Sequence, residues 1–275
     1  MILLLPPLMI WMLLHPALAM DAASAACHLF VTSVMPGLFP YMVLALMLVS
    51  RLAGRLPPAG FSLLGWCGGS PTGARLMGLY PSEHRRARVR LAVTTATMSP
   101  MFLLGTIGGW LGSPLAGAVI LGSVLLGGGL AGLAAGRLTR EETLDGKEAS
   151  PPDPLTFGEA VEQAAKTMLL VCGTMVMLRV FAALAAASFP RFALPLTTLM
   201  EVTTGAAQIA SLALPLPLRT AIIAGATGFG GTASVMQNRA LYPAGLLTLP
   251  EQLFWQAVHG GVSFLLALGV MLLIA

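Results

Sequence analysis

The chain has 275 residues, of which 56% are hydrophobic and only 9% charged, with a mean hydropathy of +0.85. A soluble globular domain carries roughly 25% charged residues, so this composition excludes one and points to an integral membrane protein. The formal net charge of +4 comes from arginines that flank apolar runs and are not interleaved with aromatics, which argues for a lipid bilayer and against nucleic acid as partner.

The opening MILLLPPLMIWMLLHPALAM ends near Ala17-Leu18-Ala19, which resembles a signal-peptide cleavage site. It lacks a positive n-region and carries Pro6-Pro7 inside the apolar run, so residues 1–19 are expected to be retained as a first transmembrane helix. A first repeat is read over 20–136. It consists of a long apolar helix (28–50), a broken segment (61–80) and two further apolar segments (90–110 and 113–136). Residues 137–157 carry mixed charge and Pro151-Pro152-Asp153-Pro154, the composition of a solvated cytosolic linker. A second repeat over 158–275 restates the order: a helix over about 160–187, a broken segment (193–213), then apolar segments at 220–240 and 252–274.

The two halves align at an offset of 132 residues, which pairs Thr72-Gly73-Ala74 with Thr204-Gly205-Ala206 and Thr95 with Thr227. Charge then tests the broken segments. If both dip into the membrane and return, Arg191 and Arg219 alone fall on the outer face and Arg179 within the membrane. Full crossings divide the basic residues less sharply. The expected fold is therefore an all-α polytopic membrane protein with two inverted repeats, each with a re-entrant helical hairpin, and about seven transmembrane helices. The N-terminus is expected in the cytoplasm and the C-terminus outside.

The hairpin tips are the candidate site. "GGSPTGAR" supplies Gly69, Ser70, Pro71, Thr72, Gly73 and Arg75; "EVTTGAAQ" supplies Glu201, Thr203, Thr204, Gly205 and Gln208. Irregular backbone at membrane depth needs protein or a water-filled cavity around it, and the hydroxyls can satisfy either freed backbone groups or a ligand. The plainer use of these small residues is close helix packing. Ser99-Pro100 in the first half aligns with Gly231-Thr232 in the second, and both interrupt apolar helices. Paired interruptions of this kind point to a midplane binding site for a small-molecule substrate.

Glu201 is a candidate for a coupling proton or sodium ion, or for a carboxylate that caps a half-helix or pairs with an arginine. Arg75 and Arg179 suit a substrate carboxylate or phosphate, with snorkelling as the other reading. Gln237 and Asn238 are hydrogen-bonding candidates. His259 reads as a packing histidine first and a proton relay second. Cys27, Cys67 and Cys172 show neither disulfide nor zinc spacing, so no metal or other cofactor is expected. No hydrolase, kinase or metalloprotease signature occurs, so there is no sequence reason to propose an enzyme.

The stretches VMPGLFPYMVLALMLVSRLAG, GWCGGSPTGARLMGLYPS, TATMSPMFLLGTIG and GFGGTASVMQ resemble, in this order, the nucleoside-recognition (Gate) domain membrane proteins, closest to the YlbJ-type sporulation membrane proteins. The resemblance implies a paired-repeat, transporter-like fold with helical hairpins in a bacterial cell membrane, the forespore membrane in the sporulation branch. It also implies movement of dipicolinic acid, an aromatic dicarboxylate, in that branch and of nucleosides among more distant relations. Carried onto this chain, it puts the site at Gly69, Ser70, Pro71, Thr72, Gly73, Glu201, Thr203, Thr204 and Gly205. The expected function is permease-like transport of a small polar, anionic metabolite; the alternative is a non-transporting scaffold, as a homo-oligomer or beside a second Gate-type subunit.

Overall fold

The computed structural model describes residues 5–52, 55–80, 82–142 and 153–274. They fold as helices joined by short turns, with no strand among the described residues. The N-terminal α1 (Leu5–Leu14) is apolar on all sides and largely exposed. His15 separates it from α2 (Pro16–Leu29), which starts on a proline, the residue whose fixed φ and missing N–H suit a first helical turn. A π-helical turn, Phe30–Val34, joins α2 to α3 (Met35–Leu52). In a regular helix the ring of Pro36 would clash with the carbonyl of Thr32, and the wider turn contains Thr32.

Pro16–Leu52 is thus one rod of 37 residues. The expected boundary after residue 19 falls inside α2, and the described residues of the expected first span form the ten-residue α1 and the start of α2. At about 1.5 Å per residue α1 reaches roughly half of a 30 Å hydrocarbon layer.

The first broken segment is α4 (Pro58–Gly68) and α5 (Ser70–Leu76). Next comes α6 (Arg85–Thr94), an irregular stretch, a second π-helical turn at Phe102–Ile107, and α7 (Gly108–Trp110). A long α8 (Pro114–Leu138) closes the half, its first turn capped by Ser113. Part of the expected linker, 143–152, lies outside the described residues.

The second half opens on α9 (Phe157–Ser188), started by a Thr156–Glu159 capping box. The second broken segment is α10 (Ala193–Met200) and α11 (Val202–Ala210). Another interrupted helix follows, α12 (Leu216–Phe229) and α13 (Gly231–Leu241), and α14 (Leu249–Ile274) ends the fold. Among the described residues four helices are long and apolar enough to cross a membrane: Pro16–Leu52, α8, α9 and α14.

Among the described residues the core divides into two large clusters and a small one, Ala19, Ala22, Val180 and Leu184, between α2 and α9. Met42, Leu46, Phe61, Met77 and Val89 anchor a cluster among α3 to α6 and α9. Leu103, Ile107, Ile120 and Ile223 anchor another among the second π turn, α8, α11, α12 and α14. The outer faces stay apolar: Leu44, Leu126, Leu169 and Leu265 are exposed, as lipid-facing side chains are.

Between the clusters α8 packs on α6 of its own half and on α12 and α14 of the other. Its glycines permit this. A Cβ on Gly132 would overlap Thr94 Oγ1, one on Gly127 would overlap Ser263 Oγ, and one on Gly128 would lie 3.1 Å from the Thr94 carbonyl. Backbones that approach this closely gain dispersion contacts that lipid cannot supply.

Positions 132 residues apart make corresponding contacts. Thr95 Oγ1 donates to the carbonyls of Leu91 (2.9 Å) and Ala92 (3.5 Å); Thr227 Oγ1 donates to those of Ile223 (2.7 Å) and Ala224 (3.3 Å). Likewise α6 packs on α8 as α12 packs on α14.

Candidate functional site

The first break falls on Gly69, with φ 74 and ψ −178, a conformation open essentially to glycine alone. A Cβ there would also stand 2.8 Å from the backbone nitrogen of Ser99. Conformation and space therefore both demand glycine. Thr72 Oγ1 spans the break to donate to the Gly68 carbonyl at 3.0 Å, while Gly73 lets α5 press against Thr95. Thr72 and Gly73 thus serve the hairpin's own backbone and packing.

The second break falls on Glu201, which is 2% exposed. Its carboxylate caps α11: Oε1 accepts from Thr203 N at 2.9 Å, and Oε2 accepts from Thr204 N at 2.8 Å and Thr204 Oγ1 at 2.6 Å. Carboxyl oxygens accept from the N–H groups that the start of a helix leaves without intrahelical partners. Of the uses weighed for Glu201, the structure realises the cap. Gly205 lets α11 fold back on α10, since a Cβ there would come within 2.5 Å of Thr198 Cα.

Each tip sits on an interrupted helix. Gly69 lies against Ser99, and Val202 lies against Gly231, which has φ 71 and would bring a Cβ to 3.2 Å from Val202 N. A shift of 132 carries Ser99 onto Gly231 and Gly69 onto Glu201, the residue before Val202. Thr232 Oγ1 donates to the Leu199 carbonyl at 3.0 Å and fastens α13 to the end of α10.

The tips meet at one small cavity. Ser70 and Pro71 from the first tip, Thr203 from the second and Ser99 line it, closed by Val34 and Phe102. Val34 and Phe102 belong to the two π-helical turns, a distortion frequent at functional sites. The cavity volume of about 30 Å³ admits roughly two waters, far below the several hundred Å³ of a metabolite site. Ser70 Oγ donates to Asn238 Oδ1 at 2.6 Å, whereas Asn238 Nδ2 is buried with no protein partner. The lining can thus present three hydroxyls, of Ser70, Ser99 and Thr203, to a polar guest, with no cationic group among the described lining residues.

The remaining expected residues lie apart from the cavity. Arg75 Nη2 donates to Gln163 Oε1 of α9 at 3.0 Å. Arg179 is half-buried within α9, and Gln208 is exposed. Gln237 Nε2 donates to Thr174 Oγ1 at 2.8 Å, tying α13 to α9. Sequence reasoning singled out only His259 from a second polar region. Gln252, Gln256, His259 and Ser263 are buried along one face of α14. Their spacing of four, three and four residues is the helical signal that could have revealed them.

The comparisons with known proteins agree with this coarse picture. The chain is 26% identical over 213 residues to the sporulation integral membrane protein YlbJ of Bacillus subtilis (strain 168), covering 61% of this chain and 52% of that protein. It spans about half the length of the curated relative it matches. No family model matches the chain, and no solved structure matches it significantly. Composition, apolar helices and this relative together describe an all-helical integral membrane protein similar to YlbJ.

Proposed function

We propose that the protein is a permease-like transporter for a small polar, anionic metabolite, dipicolinate-like or nucleoside-like, working in the membrane of a sporulating bacterium. The observation that carries the reading is the convergence of both hairpin tips and both π turns on one cavity. Two inverted repeats underlie the mechanism. Each contributes three crossings: the Pro16–Leu52 rod, the α6–α7 segment and α8 in one, and α9, the α12–α13 segment and α14 in the other. The matching backbone bonds of Thr95 and Thr227, 132 residues apart, support that equivalence. The hairpins are re-entrant in this reading, α1 adds a seventh apolar segment, the N-terminus is cytoplasmic and the C-terminus outside.

Movement of one repeat against the other around the tips would enlarge the cavity alternately toward each face. The experiment is uptake into proteoliposomes with dipicolinate and with a nucleoside, paired with ligand-dependent thermal stabilisation, which follows RT ln(1 + [L]/Kd). Ser70→Ala and Thr203→Val should reduce uptake at least about fivefold, one lost polar contact to a buried ligand group costing roughly 1–3 kcal/mol. Uptake at the wild-type rate in both folded variants would remove the tips from the site. The smallness of the cavity favours a second reading, a non-transporting scaffold or subunit of a Gate-type complex. Absence of stabilisation by either ligand, with co-purification of a partner, would establish that reading.

A further inference from the structure

The two hairpins are attached to the rest of the molecule differently. The second keeps its hydrogen bonds within its own half: Glu201 caps α11, Thr198 Oγ1 bonds back to the Leu194 carbonyl at 2.8 Å, and Thr232 of α13 holds the end of α10. Among the described residues no side-chain hydrogen bond ties it to the first half. The first hairpin is held on both sides. Toward its own half, Trp66 Nε1 donates to the Thr94 carbonyl at 2.8 Å, and Gly65 and Gly73 press against Thr95. Toward the second half, the short α5 carries one side-chain bond near each end: Ser70 to Asn238 of α13 at 2.6 Å, and Arg75 to Gln163 of α9 at 3.0 Å. Neither bond depends on how an amide is turned. A hydroxyl both donates and accepts, so Ser70 can bond either amide atom, and a guanidinium only donates, so Arg75 selects the oxygen of Gln163.

Position gives these bonds their meaning. Ser70 and Pro71 of α5 form one wall of the cavity between the tips, and Thr203 of the second hairpin forms another. A volume of about 30 Å³ admits no metabolite, so a guest enters only after the walls part. The bonds at Ser70 and Arg75 resist that parting at two points, five residues or about 7.5 Å apart along α5, which restrains the helix against rotation as well as translation. We infer that these two bonds are straps that hold the first hairpin shut over the cavity, and that Asn238 and Gln163 are positioning residues whose release lets the hairpin open.

Burial makes the strap at the tip a two-state device. Ser70 and Asn238 are 5% and 1% exposed, so a bond stretched part of the way leaves two buried polar groups without partners. That intermediate is costly, and the cost is relieved only when the cavity opens far enough for solvent or a guest to reach them. Closed and open are therefore the favoured arrangements. The strap at Arg75 is only part-buried and weaker, and it sits where α5 runs into the core through Leu76 and Met77, the end about which the tip would swing. The straps belong to the cavity as it stands; their use in transport rests on the permease reading.

The test is the labelling rate of a cysteine in the cavity, measured on the full-length protein in nanodiscs with a water-soluble methanethiosulfonate. Cys27, Cys67 and Cys172 are replaced by alanine, and Thr203→Cys, at a position 5% exposed, supplies the probe. Asn238→Leu keeps the side-chain size and removes the bond, and it should speed labelling about fivefold, the worth of one net hydrogen bond. Gln163→Leu should speed it about twofold, and it tests the straps even if the buried Asn238 variant does not fold. The double variant should multiply the two effects to about tenfold. Gln237→Leu is the control: it deletes the neighbouring bond from α13 to Thr174 of α9 without touching α5, and it should leave the rate unchanged. Rates unmoved by both strap variants, or raised as much by Gln237→Leu as by Asn238→Leu, would overturn the proposal. Labelling needs no substrate, so uptake with unmoved rates would retain the permease and remove the straps, and strap-dependent labelling in a protein without uptake would do the reverse.

Discussion

The two hairpin breaks, at Gly69 and at Glu201, occupy corresponding places in the halves and solve one problem with opposite chemistry. Both must end a helix, turn, and start another inside a packed apolar protein. The first does so by having no side chain: a left-handed φ and direct seating on the Ser99 backbone. The second adopts an ordinary extended conformation, φ −137 and ψ 98, and brings a carboxylate to satisfy the exposed N–H groups. Backbone geometry is what the first break cannot give up, and hydrogen-bond capacity is what the second cannot give up.

The sharpest way to break the comparison is to give each tip the other's weakness. Gly69→Ala should destabilise the most, by about 3 kcal/mol or more, because a strained φ and a clash with Ser99 add together. Thermal unfolding in detergent measures this, and a loss below about 1 kcal/mol would show that the tip relaxes freely. Glu201→Ala should cost about 2 kcal/mol, since it uncaps α11 and leaves two buried N–H groups unpaired. Glu201→Gln should cost less than Glu201→Ala, because its single amide oxygen still accepts one of those bonds. Equal losses for the two variants would mean that charge, and not acceptor count, holds the second tip.

The smallest expected effect tests the likeness of the halves and not their difference. Thr95→Val and Thr227→Val each delete a hydroxyl bonded back to its own helix, where the carbonyl keeps its backbone partner. Each should change stability by no more than about 0.5 kcal/mol, and the two should agree. Disagreement would locate a contact in one half that the other lacks.

Much of this architecture was legible in the sequence. The breaks at Gly69 and Glu201 and the interruptions at Ser99 and Gly231 carry local signals, glycine, proline and hydroxyl residues in otherwise apolar runs, and local signals survive without tertiary information. The start of α2 was equally readable from Pro16, but the apolar character of residues 1–19 drew the boundary past it. Other features depend on distant chain. Arg75 looks like an anion ligand until α9 brings Gln163 to it. Gln252 and Gln256 sit beside Glu251 at a charged helix end, where burial is unexpected; packing by α6, α8 and α13 encloses them. Glu201 is an intermediate case, since its sequence, an acid followed by Thr203 and Thr204, admits a cap and an ion site equally well.

The glycine-lined surface of α8 has a mechanical meaning. Helices that meet through side chains interlock, so sliding one past another requires rotamers to reset together. Where Gly127, Gly128 and Gly132 face Ser263, His259 and Thr94, one partner has no rotamers to reset. Small axial displacements there are opposed mainly by backbone contact, the condition for shear between packed helices. α8 also borders α12 and α14 of the other half, so where Gly127 and Gly128 meet Ser263 and His259 the two halves are joined by backbone contact without interlocking rotamers, and a bulky residue at Gly127 would wedge them apart.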